Sequence, residues 1–255
     1  MPSASTLIVA AAFGLVIGSF LNVCIYRLPR GQSIVWPASR CTSCGRALSW
    51  YENIPVLSFA VLRGACRTCR APISPVYPAV EIASGAIFAA EYWQLGLEPL
   101  LAARLVFACA LIVLFVVDLR HRILPNAITV GGIAVGFAFS LAMAPGWRSS
   151  LAGIIVGGGS LLLIAGVYRW VRHEEGLGMG DVKMLAMIGA FLGWKLMLLT
   201  LVLSSLLGSI VGIVMIAGKK GDMKYALPFG TFLAAGALVA TLVGDAIVAW
   251  YAGFY

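Results

Sequence analysis

Gly178-Met179-Gly180-Asp181-Val182-Lys183 opens onto the apolar run 184–193, and its single carboxylate is the residue that decides how this chain is read. A charged side chain at the mouth of an apolar helix is costly and needs a compensating role. The other candidate of the same kind is Asp118, which closes an apolar run and begins Asp118-Leu119-Arg120-His121-Arg122-Ile123-Leu124-Pro125-Asn126. Two aspartates at matching depths, one opening a helix and one closing another, point to a membrane-embedded aspartic protease.

The surrounding composition sets the medium. Of 255 residues 61% are hydrophobic and only 11% are charged, against roughly 25% charged for a soluble domain. This excludes a single soluble domain and predicts an all-α polytopic membrane protein in contact with the lipid bilayer. The net charge of +8 could indicate nucleic acid, but the basic residues sit in the connections between apolar runs, as in membrane proteins, so no nucleic-acid partner is expected. No charged side chain precedes the first apolar run, whose first basic residue is Arg27, so a retained segment is expected in place of a cleaved signal.

About 20 apolar residues span the hydrocarbon core. Eight segments meet the requirement or approach it: 6–26, 76–95, 100–117, 127–144, 150–170, 182–193, 195–217 and 229–252. The sixth is short, as expected if it begins in a cavity beside the GxGD turn. Seven arginines lie in 27–75, and Arg120, Arg122, Arg169, Arg172, Lys183, Lys219, Lys220 and Lys224 fall on the same side; Arg104, Arg148 and Lys195 fall on the other. Positive charge therefore predicts both termini outside, with 27–75 and both aspartates at the cytoplasmic face. Glycines four apart (Gly14/Gly18, Gly132/Gly136, Gly153/Gly157, Gly189/Gly193, Gly208/Gly212) are read as helix-packing sites. The expected organisation is a first transmembrane helix at 1–26, a cytoplasmic four-Cys loop at 27–75, and a peptidase domain of helices 2–8 at 76–255.

The loop carries Cys41-Thr42-Ser43-Cys44 and Cys66-Arg67-Thr68-Cys69, with 21 residues between the pairs. This spacing predicts a zinc-ribbon-like site with structural zinc on Cys41, Cys44, Cys66 and Cys69, since four thiolates leave no open coordination position. A stretch of this size buries little apolar surface, and metal supplies the missing stability. Gly45 suits the turn after the first pair, whereas Arg70 follows the second, so a less regular second turn is expected. Cys24 and Cys109, within apolar segments, are read as small core residues.

Catalysis by paired aspartates needs two carboxylates sharing a proton, one activating water and the other polarising the scissile carbonyl. Asp181 lies at a helix start and Asp118 at a helix end, so dipole signs alone favour an ionised Asp181 and a protonated Asp118, with Arg120 or Lys183 able to reverse the order. Gly178 and Gly180 are expected to permit unusual φ and close substrate approach. Glu81 could face a cavity or a substrate amine; Glu91 and Asp245, towards the outer side, and His121 and His173, in loops, are read as solvated. A cation- or proton-coupled transporter is the competing class, although no internal repeat is evident and both aspartates lie at a boundary, not at mid-membrane. A zinc-ribbon adaptor would leave the aspartates unexplained.

In combination these residues resemble the type IV prepilin peptidase family of GxGD aspartic proteases. The resemblance runs through Gly18-Ser19-Phe20-Leu21-Asn22-Val23-Cys24-Ile25-Tyr26-Arg27-Leu28-Pro29, the four-Cys loop with Trp50 to Ser58, Tyr77-Pro78-Ala79-Val80-Glu81, the Asp118 stretch, Gly178 to Lys183, and Pro228-Phe229-Gly230. Thr231 departs from the proline expected there, which is read as a loop detail. The resemblance implies a bacterial inner-membrane enzyme with Asp118 and Asp181 catalytic, supported by Gly178, Gly180 and Lys183. It implies removal of the short basic leader of type IV prepilins or type II secretion pseudopilins, followed by methylation of the new N-terminus with S-adenosylmethionine as methyl donor. Asn22 and Glu81 become candidate substrate or methyl-donor contacts. A peptidase that does not methylate is the alternative within the family.

Overall fold

The computed structural model describes residues 2–172, 178–218 and 227–253. His173, Lys219, Lys220 and Lys224, which enter the sequence argument, lie outside the described residues. The described chain is helical: α1 (Ala4–Arg27), α2 (Leu57–Val61), α3 (Val76–Leu95), α4 (Pro99–His121), α5 (Asn126–Ser140), α6 (Trp147–Arg172), α7 (Met179–Ala217) and α8 (Phe229–Ala252). Extended pairing among the described residues is confined to the isolated bridges Arg40 with Ala47 and Ala65 with Pro72. Five helices, α1, α4, α6, α7 and α8, are long and apolar enough to cross a membrane; α5 is shorter, and α3, which carries Glu81 and Glu91, is not in that set.

Two compact units divide between Leu101 and Ala102. In the first, the hydroxyl of Ser3 accepts a hydrogen bond from the Thr6 N–H at 3.3 Å and starts α1, which packs along α3. Between lipid-embedded helices there is little hydrophobic drive, so small residues that let backbones approach decide the contact. A Cβ on Gly14 would stand 2.6 Å from the Ser84 carbonyl oxygen, and one on Gly18 would stand 2.7 Å from the Glu81 Cα. Glu91, expected to be solvated, is 1% exposed on the packed side of α3. An outer position along the segment does not fix which face a side chain takes.

The second unit is built around α7, against which α5, α6 and α8 pack. α7 runs 39 residues, but Gly193 breaks it with φ 74° and ψ 176°. This is the left-handed side of φ, which glycine adopts without a Cβ penalty. The expected segments 182–193 and 195–217 are thus two arms of one bent helix, and the shorter is the buried one: every residue from Met184 to Gly193 is buried. α6 meets this arm backbone to backbone, and a Cβ on Gly189 would lie 2.3 Å from the Gly153 carbonyl. Gly132 and Gly136 of α5 admit Met187 and Phe191, and Phe191 stacks on Phe107 of α4 at 4.7 Å. Gly208 and Gly212 meet only ordinary side-chain contacts at 3.5 Å, so this pair is not a close-packing site.

Candidate active site and four-cysteine centre

Asp181 lies in the first turn of α7, three residues after the N-cap Gly178, and its N–H donates to the Gly178 carbonyl at 3.1 Å. It is therefore not the N-cap itself. Gly178 has φ −72°, ordinary extended backbone, so neither glycine of the GxGD turn is used for a special φ. Their use is room: a Cβ on Gly178 would stand 3.4 Å from Asp181 Oδ2, and one on Gly180 would stand 3.0 Å from the Leu124 Cβ. Leu124, in the turn after α4, also packs at Gly230 in the first turn of α8. Thus the starts of α7 and α8 converge on the end of α4.

Asp118 sits at that end, 5% exposed. Its Oδ2 accepts two hydrogen bonds from one residue, the Thr231 N–H at 2.6 Å and the Thr231 hydroxyl at 2.9 Å. Gly180, next to Asp181, and Gly230, against Asp118 Oδ2, both close on the side chain of Leu124, which brings the two aspartates to one place. The expected contrast of helix ends considers only the helix to which each aspartate belongs. Asp118 closes α4, but its carboxyl meets the open N–H groups starting α8, so both aspartates face positive helix ends and the contrast of sign disappears. Lys183 is turned to α5, its Nζ donating to Asn126 Oδ1 at 2.9 Å.

In the first unit, Asn22 and Glu81 are both buried. Asn22 Nδ2 donates to the Tyr77 carbonyl at 3.0 Å, and Glu81 Oε2 accepts from the Val56 N–H at 2.8 Å. Val56 holds φ 61°, costly for a β-branched residue, and the Glu81 carboxylate fastens it there. Asn22 thus joins α1 to the start of α3, and Glu81 ties the loop to α3.

The four cysteine sulfurs, Cys41, Cys44, Cys66 and Cys69, lie within 4.8 Å of one another, with Cys41 and Cys69 Sγ 3.8 Å apart. Tetrahedral zinc with Zn–S near 2.3 Å needs sulfurs about 3.8 Å apart, so the cluster fits that ion. The two knuckles are alike. Cys41 N–H donates to the Arg46 carbonyl at 2.9 Å and Gly45 N–H to the Cys41 carbonyl at 2.9 Å; Cys66 N–H donates to the Ala71 carbonyl at 2.8 Å and Arg70 N–H to the Cys66 carbonyl at 3.0 Å. Gly45 at φ 71° and Arg70 at φ 60° hold the same left-handed position. The second turn is therefore as regular as the first, and Arg70 carries the strain that glycine avoids. Backbone N–H groups of Cys69 and Thr68 pull the Cys66 thiol down to about 6, favouring the thiolate that binds metal. Between the knuckles, Arg46 grips Glu52 with two hydrogen bonds of 2.6 and 3.0 Å, and the Ser49 N–H adds a third at 2.8 Å. With Arg46 the main cause, the Glu52 carboxyl is held down at about 2.

A helical membrane chain with a buried Asp118 and a half-buried Asp181 at converging helix ends has the make-up of a membrane-embedded aspartic peptidase. Residues 12–95 match the bacterial peptidase A24 N-terminal domain, and residues 105–213 match the type IV leader peptidase family. The chain belongs to that family. Similar proteins named prepilin leader peptidase/N-methyltransferase include one from Stutzerimonas stutzeri, 34% identical over 96% of this chain and 93% of the relative. One from Myxococcus xanthus is 45% identical over 82% of this chain and 63% of the relative, and one from Pseudomonas aeruginosa is 32% identical over 94% and 91%. No solved structure matches the chain. The comparisons give the transporter reading no support.

Thr231 is the residue that sequence reasoning passed over. Its departure from the expected proline was the available signal, because proline has neither the N–H nor the hydroxyl that Thr231 directs at Asp118.

Proposed function

We propose that this chain is an aspartic endopeptidase of the bacterial inner membrane that removes the short basic leader of type IV prepilins or type II secretion pseudopilins. It then methylates the new N-terminal amine with S-adenosylmethionine. The observation that carries the peptidase reading is the convergence of the starts of α7 and α8, which bear Asp181 and the Thr231 seat of Asp118, on Leu124 at the end of α4. A catalytic aspartate pair works with one member ionised and one protonated. Asp118, with two donors on Oδ2, carries the charge and Asp181 the proton.

The reaction then runs as follows. A water held between the carboxyls gives a proton to Asp118 as its oxygen bonds to the scissile carbonyl carbon, and Asp181 gives its proton to the carbonyl oxygen. Collapse of the tetrahedral intermediate breaks the C–N bond. The leaving amine takes the proton from Asp118, and Asp181 recovers one from the geminal hydroxyl. Gly178 and Gly180, without side chains, leave room beside Asp181 and against Leu124, and Lys183 is held by Asn126.

Arginine asymmetry supports a cytoplasmic placement of 27–75 and of the aspartates, with both termini outside. A prepilin leader is cytoplasmic and its hydrophobic helix lies in the bilayer, so the cut falls where the pair can act. Residues 27–75 form the loop associated with methyl transfer, and 76–255 the peptidase part. Cys41, Cys44, Cys66 and Cys69 would hold zinc, which ties the loop's two knuckles together. Methyl transfer is supported by the names of the relatives. Asn22 and Glu81 are engaged by backbone partners, and no step of that transfer is assigned to them.

Purified protein incubated with a prepilin and S-adenosylmethionine, followed by intact-mass analysis, tests both activities. Loss of the leader mass together with the mass step of one methyl is expected. Cleavage without that step would leave a peptidase alone, and an unprocessed prepilin would contradict the proposal.

A further inference from the structure

Helix α8 begins without a side-chain cap of its own. Its N-cap is Pro228, which makes no capping hydrogen bond, so the first-turn N–H groups look for an acceptor elsewhere. Asp118, reaching from α4, supplies it: Oδ2 receives the Thr231 N–H and hydroxyl together, with Thr231 itself only 6% exposed. The residue before it is shaped for the same contact. A Cβ on Gly230 would stand 3.0 Å from Asp118 Oδ2 and 2.9 Å from Leu124 Cδ1, so any larger residue would push the carboxyl off its seat.

We propose that Thr231 is a positioning residue for cleavage, fixing Asp118 through Oδ2 on a seat that Gly230 leaves open. The inference rests on the catalytic reading of Asp118. With Oδ2 holding two donors, Oδ1 is the oxygen assigned to take the proton of the attacking water, and the two bonds restrain rotation of the carboxyl. Hydrogen bonds to a charged group are the stronger kind. Losing one member of such a set should slow the chemical step more than it weakens substrate binding, because Thr231, 6% exposed, acts through the Asp118 carboxyl. Proline, the residue expected at position 231 from the sequence, would offer no donor at all.

The test is steady-state cleavage of a prepilin by the full-length protein carrying Thr231→Ser, Thr231→Val, Thr231→Pro and Gly230→Ala, with thermal unfolding measured alongside. Serine keeps both donors and should leave kcat within about twofold of the parent. Valine keeps the N–H alone and should lower kcat about tenfold, proline should lower it further, and KM should change by less than about twofold throughout. Gly230→Ala should resemble valine or worse. Wild-type kcat in Thr231→Val and Thr231→Pro would overturn the proposal, as would a change confined to KM, or equal losses in serine and valine. Asp118→Asn, run in parallel, separates the two ideas: an active Asp118→Asn removes the catalytic reading itself, whereas an inactive one beside fully active Thr231 variants removes only the role of Thr231.

Discussion

The aspartate site and the four-cysteine centre solve the problem of placing functional groups in opposite ways. The cysteines are positioned locally: each knuckle closes through hydrogen bonds within a few residues, and one ion pair, Arg46 with Glu52, braces the stretch between. The aspartates come from helices distant in sequence, and Asp118 is held by Thr231, 113 residues along the chain. Their neighbourhood depends on backbones that touch through glycine, as where α6 crosses the buried arm of α7 at Gly153 and Gly189. A site assembled from turns needs a metal to finish it, while a site assembled from packed helices needs close packing and an open helix end.

That contrast can be broken most severely at the zinc proposed for the four cysteines. Removing it with a chelator, or replacing Cys66 by serine, should release a binding free energy on the order of 10 kcal/mol from the loop. Zinc analysis should fall from one ion per chain to none, and trypsin should cut among the loop arginines while the α5–α8 core stays resistant. Resistance of the loop after metal loss would show that packing alone sustains it. Next in size is Gly189→Leu, whose Cβ would lie 2.3 Å from the Gly153 backbone. A loss of roughly 3–5 kcal/mol or failure to fold is expected by thermal unfolding in detergent. Gly159→Leu, where a Cβ meets open space, should cost little.

How much of this was legible beforehand follows the same division. The cysteine centre could be read from spacing because its geometry is local, and hydropathy located the apolar segments, which form seven helices, five of them long and apolar enough to cross a membrane. What escaped was whatever depends on which elements meet. Asp118 looked like a residue at an unfavourable helix end because the sequence does not show that α8 starts beside it. Thr231 looked like a loop detail for the same reason. Glu91 was placed in solvent because depth along α3 is visible in sequence but its packed face is not. Even in the local centre, Arg70 was misjudged: composition favours glycine in a left-handed position, yet the hydrogen bonds of the knuckle hold arginine there.

Smaller effects sharpen the local side of the comparison. Glu52 is held down at about 2 in the folded loop, against about 4.3 when unfolded. Its contribution is therefore complete above the unfolded value and is lost as pH falls from about 4 towards about 2. Glu52→Gln should lower loop protection at neutral pH, measured by limited proteolysis or amide exchange, and should flatten the acid dependence over that range. Unchanged acid dependence would show that the Arg46 pair contributes nothing. Smallest is Arg70→Gly, which should stabilise the second knuckle by about 1 kcal/mol by relieving left-handed strain. Tighter zinc retention against a competing chelator would register it.

The central claim is that Asp118 and Asp181 act as one unit, and a double-mutant cycle on prepilin cleavage tests it most directly. Asp118→Asn, Asp181→Asn and the double variant should all lose activity to a similar degree, about 10³-fold or more, because groups that work together are not additive. Full cleavage by either single variant, or losses that simply multiply in the double, would contradict it.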